Sequence, residues 1–189
     1  MSARFQVRIG ALHNIGTLVP EYRPTHLLGI LDPPTPEPAI YAHEPQSRTM
    51  LLLRFMDVDA VQPDGPTAQH VEQIIAFADQ VCSAHAKTPA RLLVHCHAGI
   101  SRSTASGYIA LARDLGLDRA GDAFRQLLRV TVHPWPNRRM IALADEALGA
   151  KGRLLAPLDA YREANVERLE AMMAYHRLVA EAALGKESG

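Results

Sequence analysis

The stretch RLLVHCHAGISRSTASGYIALARDLG, residues 91–116, decides how the rest of the chain is interpreted. Its first residues, 91–95, form a short apolar run that predicts a β-strand. After a polar segment, apolar residues recur at helical spacing until Gly116, which ends the predicted helix. The residues that mark this helix are Ala105, Tyr108, Ile109, Ala112 and Leu115. A strand, a tight loop and a helix are therefore expected to meet at Cys96.

The loop between this strand and helix contains the groups that bind a phosphate dianion without a metal ion. A loop that enters a helix N-terminus points its N–H groups inward, and the helix dipole adds positive potential there. Gly99 permits the positive φ that such a turn needs, and the planar guanidinium of Arg102 can bind two phosphoryl oxygens. The expected substrate-binding residues are His97, Ala98, Gly99, Ile100, Ser101 and Arg102.

Cys96 precedes this loop and is the candidate nucleophile. Helix N-termini and neighbouring donors favour the thiolate, which is the form that attacks phosphorus. Ser103 can donate a hydrogen bond to the sulfur and improve it as a leaving group, and we expect His95 to order the loop. A buried structural cysteine is the usual state of a free thiol, but it would not explain Arg102 and Ser103 at these spacings.

The flanking sequence predicts an α/β fold. Three β-like runs, residues 5–9, 25–31 and 50–55, precede a change to helical spacing after Thr67. The segment 32–45 contains five prolines and is expected to be an exposed loop. Apolar residues at helical spacing from Val71 to Val81 predict a helix, and this spacing places Cys82 on its buried face. Two further helices are predicted near residues 120–128 and 140–148.

The end of the chain predicts a long amphipathic helix from Leu158 to about Leu184. Its apolar face is formed by Tyr161, Leu169, Met172, Met173 and Val179. A weak boundary at residues 149–152 separates this helix from the rest. We predict one domain over residues 1–152 and a helical extension over residues 153–189, which packs on the same domain or pairs two copies as a homodimer.

The composition gives the chain no net charge with which to attract a charged partner. Lys and Arg together number 20, as do Asp and Glu, so no net field attracts nucleic acid or an anionic membrane. No apolar run is long enough to span a bilayer, and the start of the chain does not look like a signal peptide. We therefore predict a cytoplasmic protein without nucleic-acid or membrane partners. A structural disulfide is not expected there, although an oxidative bridge between Cys82 and Cys96 is left open.

A zinc site is the competing interpretation of the histidines and cysteines. His85, His95 and His97 lie near the two cysteines in sequence, but paired ligand spacings are lacking. Neither a metal nor a cofactor is expected. His97 is instead predicted at the rim of the phosphate pocket, or simply in solvent.

The segment His95–Ser103 resembles the HCxAGxSRS signature of the cysteine-dependent protein tyrosine phosphatases, in the dual-specificity form also found in bacteria. Residues 25–28 and the pair Pro136-Asn137 are similar to further features of that family, so the resemblance covers roughly residues 5–148. It implies a central mixed sheet flanked by helices and a phosphocysteine intermediate. Cys96, Arg102 and Ser103 take the catalytic positions, and Asn137 would support the loop.

The resemblance also implies an aspartate that protonates the leaving group and then activates water. Residues 53–58 are similar to the strand end at which such phosphatases turn into the loop with this acid. Asp57 is therefore the first candidate, and Asp59 is the alternative acid. Asp64 lies in a Pro-Asp-Gly sequence that is typical of a turn.

The predicted activity is hydrolysis of phosphate monoesters, most of all protein phosphotyrosine, with phosphoserine and phosphothreonine left open. The same chemistry on a phosphoinositide, a nucleotide or an RNA 5′ phosphate is an alternative, although the signature lacks the lysines typical of phosphoinositide-specific relatives. A non-catalytic module that binds phosphorylated partners is a second alternative, and a sulfurtransferase is a third.

Overall fold

The computed structural model of the chain describes residues 3–42, 48–84, 89–132 and 134–167. Within them, four strands form one sheet: β1 (Gln6–Ala11), β2 (His26–Leu31), β3 (Thr49–Arg54) and β4 (Arg91–Cys96). The helices are α1 (Ile15–Tyr22), α2 (Ala39–Ala42), α3 (Ala68–Ser83), α4 (Arg102–Leu115), α5 (Ala120–Val130), α6 (Arg138–Ala147) and α7 (Leu155–Glu163). The predicted α/β fold is confirmed.

The strand order is β1-β4-β2-β3, and every pair in the described sheet is parallel. The expectation of a mixed sheet is therefore corrected, because the connections between paired strands run through helices rather than tight hairpins. All six residues of β2 are buried, as in a parallel strand covered on both faces. The register pairs Ala11 of β1 with Cys96 of β4, so both strands end at the same edge of the sheet.

Helix α4 forms the centre of the helical layer. Its residues Arg102–Ala112 are buried, and it packs against α3, α5, α6 and the sheet. Tyr108 meets the ring of Phe124 edge to face at 5.1 Å, and its hydroxyl donates to the carbonyl oxygen of Leu154 at 3.1 Å. A buried helix of this kind cannot shift without repacking its neighbours, so the position of the α4 N-terminus is fixed by the core.

The proline-rich segment 32–45 differs in part from the predicted exposed loop. Its residues Ala39–Ala42 form the short helix α2. Ile40 and Tyr41 of this helix pack against the buried cluster around Leu18 and Leu93. Pro38 directly precedes α2, where a proline is compatible with a helix, and the partial burial of Ile40 and Tyr41 stabilises this helix on the core. Residues 43–47 lie outside the described part.

The chain divides into two units, Met1–Leu158 and Asp159–Gly189. Helix α7 ends at Glu163 and is followed by a turn at residues 164–165. The rest of the predicted long helix, with Leu169, Met172, Met173 and Val179, lies outside the described residues. Among the helices described, none has the length and apolar character needed to cross a bilayer.

Candidate active site

The phosphate loop runs from the end of β4 to the start of α4. Cys96 is the last residue of β4 and is 1% exposed. The backbone N–H of Gly99 donates to its sulfur at 3.3 Å, and Ser103 Oγ lies 3.2 Å from the same sulfur. These contacts bring together the nucleophile, the loop and the serine that the sequence indicated.

Close packing against β1 explains the shape of this loop. Gly99 has φ of 73°, a conformation that side chains disfavour. A Cβ at this position would also lie 2.8 Å from the carbonyl oxygen of Gly10. The backbone N–H of Leu12 donates to the carbonyl oxygen of His97 at 3.1 Å, which fixes the loop to the end of β1. Only glycine satisfies both the turn and this close approach.

Arg102 opens α4 with its side chain 2% exposed, so its charge must be compensated inside the protein. Nη1 donates to the carbonyl oxygen of Phe55 and lies 2.7 Å from Asp32 Oδ1. Nε lies 3.7 Å from Asp57 Oδ2 and has no hydrogen-bond partner among the described residues. The guanidinium is thus fixed on one nitrogen and retains a donor for an incoming oxyanion.

Asp57, the first candidate for the general acid, lies beside this arginine. Its Oδ1 accepts from Ser101 Oγ at 2.6 Å and from Asn137 Nδ2 at 2.9 Å. Its Oδ2 is the oxygen nearest to Arg102. With Oδ1 fixed by two donors, Oδ2 is the oxygen that faces Arg102, as the candidate general acid requires.

Asp59 and Asp64 have other partners. Asp59 Oδ1 accepts from the backbone N–H of Arg138 at 2.8 Å, which satisfies a free donor at the start of α6. The carbonyl oxygen of Asp64 accepts from the backbone N–H of Met56 at 2.7 Å and closes the loop that contains Asp57. Asp59 therefore caps a helix, and Asp64 lies in the turn.

Asn137 links three parts of the site and is 1% exposed. Its Oδ1 accepts from the backbone N–H of Met140 at 3.0 Å and caps α6. Its Nδ2 donates to Asp57 Oδ1 and, at 3.2 Å, to the carbonyl oxygen of Val58. Two residues earlier, the backbone N–H of Trp135 donates to the carbonyl oxygen of Ile100 at 2.9 Å. The loop that contains Asp57, the loop after Cys96 and α6 are therefore held together by the segment 135–137.

His95 lies behind the phosphate loop and is fully buried. Its Nε2 forms a hydrogen bond with the hydroxyl of Tyr41. A side chain at Gly29 would collide with both of these groups, so the glycine in β2 is needed for this contact. Burial lowers the pKa of His95 to about 4, although a hydrogen bond with the backbone of Cys96 acts to raise it. The imidazole is therefore neutral near pH 7.

Two features of the site were missing from the sequence interpretation. Asp32 bridges Arg102 and His97, with Oδ2 at 3.4 Å from His97 Nδ1, and Ser101 contacts Asp57 through its side chain. One signal pointed to Asp32, because it directly follows a predicted strand. Side chains at the C-terminal ends of parallel strands gather at one edge of the sheet, where ligands bind.

Cys82 lies beside Asp114, near the C-terminal end of α4. It is half-buried in α3, where burial, followed by the nearby carboxylate of Asp114, raises the pKa of its thiol to about 11. Asp114 lies twelve residues after Arg102 in α4, or about 18 Å along the helix axis. A disulfide needs Cα atoms within about 7 Å. An oxidative bridge between Cys82 and Cys96 is therefore incompatible with this fold.

The fold is similar to that of solved phosphatase structures, although no protein-family model matches the sequence and no curated protein is similar to it in sequence. Human DUSP28 superposes with a TM-score of 0.57 at 19% identity, over 80% of this chain and 99% of the other. The human tyrosine phosphatase-like serine/threonine/tyrosine-interacting protein gives 0.54 at 19% identity, over 76% and 91%. PTPMT1 gives 0.52 at 16% identity, over 80% and 96%. The chain therefore has the fold of the dual-specificity protein tyrosine phosphatases.

Proposed function

We propose that this protein hydrolyses phosphate monoesters through a phosphocysteine on Cys96, with protein phosphotyrosine as its main substrate. One observation supports this most directly. Four groups lie together at the turn between β4 and α4: Cys96 Sγ, the Gly99 N–H, Ser103 Oγ and the buried guanidinium of Arg102. This set contains a nucleophile, amide donors and a fixed cation for one oxyanion.

In the first step the Cys96 thiolate attacks phosphorus in line with the ester oxygen. The S–P bond forms and the P–O bond to the leaving group breaks, while the Asp57 carboxyl gives its proton to the leaving oxygen. Arg102 and the loop N–H groups stabilise the charge on the phosphoryl oxygens. Asp57 is held for this role by Ser101 and Asn137.

In the second step a water molecule attacks the phosphocysteine. The ionised Asp57 accepts a proton from this water, the new P–O bond forms, and the S–P bond breaks to release phosphate. Ser103 Oγ, 3.2 Å from the sulfur, donates to it as negative charge returns. No step requires a metal ion or an organic cofactor.

Charge at the site favours a phosphoprotein over a more highly charged lipid headgroup. Asp32 and Asp57 both lie beside Arg102, and residues 95–103 contain no lysine. Extra phosphates on a substrate would meet these carboxylates and be repelled. PTPMT1, which has the same fold, has been crystallised with PI(5)P, so this lipid is the natural competitor to test.

We propose that the C-terminal segment either packs on the same domain or pairs two copies of the protein in the cytoplasm. A truncation after residue 167 tests this best, because Leu154 and Leu158 are fully buried and must be kept. Pairing predicts that the full chain has about twice the solution mass expected for one copy and that the truncated chain runs as one copy. Equal assembly of the two chains would contradict it.

The activity is tested by hydrolysis of p-nitrophenyl phosphate in excess chelator, with vanadate as inhibitor. We expect turnover that survives chelation and is blocked by vanadate. A panel of phosphotyrosine peptide, phosphoserine peptide and PI(5)P vesicles then ranks the substrates by kcat/KM. A folded protein that binds vanadate without turning over any substrate would instead identify a phospho-binding module.

A further inference from the structure

Asp32 is a charged residue of the site that the proposed reaction does not use. It directly follows β2, which lies between β4 and β3 in the sheet. The ends of these strands share one edge, so Asp32 lies between the loop after Cys96 and the loop that contains Asp57. This position gives its carboxylate direct access to Arg102.

Asp32 extends from a turn that is itself held in place. Its carbonyl oxygen accepts from the backbone N–H of Thr35 at 3.0 Å, and the Thr35 carbonyl oxygen accepts from Arg54 Nη1 at 2.7 Å. The carboxylate, with a side-chain exposure of 26%, lies 2.7 Å from Arg102 Nη1 and 3.4 Å from His97 Nδ1. Both of its oxygens therefore face the phosphate loop.

We infer that Asp32 is a positioning residue for Arg102, an inference that rests on the proposed function. Nη1 of Arg102 donates to the carbonyl oxygen of Phe55 and forms an ion pair with Asp32 Oδ1 at 2.7 Å. These two contacts on one nitrogen restrain the guanidinium, because its nitrogens form a rigid planar fork. Nε lies 3.7 Å from Asp57 Oδ2 and, without a hydrogen-bond partner among the described residues, is left to donate to a phosphoryl oxygen.

The same carboxylate has an opposite effect on binding. A phosphate dianion held by Arg102 lies close to the negative charge of Asp32, which repels it. Asp32 thus places Arg102 for the transition state and weakens binding of the ground state. Removal of the charge alone and removal of the whole contact with Arg102 should therefore change kcat and phosphate affinity in different ways.

The test compares Asp32→Ala and Asp32→Asn in the full chain, with Asp79→Ala as a matched control. Asp79 pairs with Arg113 at 2.6 Å, so its variant also breaks an aspartate–arginine pair, but near the far end of α4. The measurements are kcat and KM on p-nitrophenyl phosphate and the Kd of inorganic phosphate. Trp135, the single tryptophan, reports phosphate binding by fluorescence because its backbone is bonded to Ile100 in the loop.

We expect Asp32→Ala to lower kcat about tenfold or more, since Arg102 loses one of the two contacts that restrain Nη1. Asp32→Asn keeps an acceptor oxygen, so it should stay within about threefold of wild type in kcat and bind phosphate more tightly. The Asp79→Ala variant should match wild type in every constant. Unchanged kcat in Asp32→Ala, or equal loss of kcat in Asp32→Ala and Asp32→Asn, would overturn the inference.

Phosphate binding separates this inference from the proposed function. If the wild-type protein binds phosphate but turns over no substrate, the proposed function fails and the binding comparison still applies. Tighter phosphate binding by Asp32→Asn than by wild type would then support the role of Asp32. Unchanged binding in both variants would overturn it.

Discussion

A cysteine and an arginine lie near each end of helix α4, and the environments at the two ends differ. At its N-terminus, Cys96 accepts an N–H from Gly99 and lies beside the hydroxyl of Ser103. Near its C-terminus, Cys82 lies next to the carboxylate of Asp114, and its pKa is raised to about 11. Donors and the positive end of the helix dipole surround the thiol of Cys96, which is the more deeply buried of the two, while a carboxylate lies beside the half-buried thiol of Cys82.

The arginines of α4 differ in the same way. Arg102 is almost fully buried and retains a donor for an anion. Arg113, about one-third exposed, uses two nitrogens on Asp79. The chemistry of a cysteine or an arginine therefore follows from its position on the helix and from its neighbours, and residue type alone does not specify it.

The largest expected effect separates the two cysteines. Cys96→Ser should reduce kcat for p-nitrophenyl phosphate by about four orders of magnitude or more, because a serine hydroxyl is not ionised in this loop. Cys82→Ser should stay within about twofold of wild type. Steady-state assays on both purified variants check this. Equal activity of the two would remove the distinction between the ends of α4.

The next effect separates the two arginines. Arg102→Lys should reduce kcat/KM about a thousandfold, since an ammonium group cannot reproduce the planar fork between Phe55 and the phosphate. Arg113→Lys should keep near wild-type kcat/KM, because its partner Asp79 is half-exposed. The comparison would fail if Arg102→Lys retained most of the activity.

A smaller effect distinguishes the two candidate acids. Asp57→Asn should lower kcat by about a hundredfold to a thousandfold on phenyl phosphate, whose leaving group needs a proton. The loss should be smaller for p-nitrophenyl phosphate, which leaves as a stable anion. Asp59→Asn keeps an acceptor for the N–H of Arg138 and should change kcat little. A larger loss in Asp59→Asn than in Asp57→Asn would make Asp59 the acid.

The smallest effect concerns stability behind the phosphate loop. Burial lowers the pKa of His95 from 6.5 to about 4, so between these values the unfolded chain binds a proton that the folded chain excludes. Stability is thus full above pH 6.5 and falls as pH decreases toward 4, by about 3 kcal/mol at most. Urea unfolding of wild type and His95→Gln at several pH values measures the difference. A wild-type pH slope no steeper than that of the variant would contradict this.

The loop from Cys96 to Ser103 could be predicted because its functional residues are contiguous, so local spacing already defines strand, turn and helix. The Asp57 loop was also indicated, because residues 53–58 resemble the strand end that precedes the acid in these phosphatases. Asp32 was missed because it meets Arg102 seventy residues away, and only the order of the strands brings them together. The parallel sheet and the burial of Tyr41 likewise depend on long-range packing that a local pattern does not contain.

Trapping the covalent intermediate tests the central claim most directly. Asp57→Asn should slow its hydrolysis more than its formation when p-nitrophenyl phosphate is the substrate, because nitrophenolate leaves without a proton while water still needs a base. Acid quenching after milliseconds, followed by peptide mass spectrometry, locates any phosphoryl group. We predict one phosphoryl group, on Cys96, in amounts equal to the burst of nitrophenolate. Turnover with a phosphoryl group on another residue, or on none, would contradict the account.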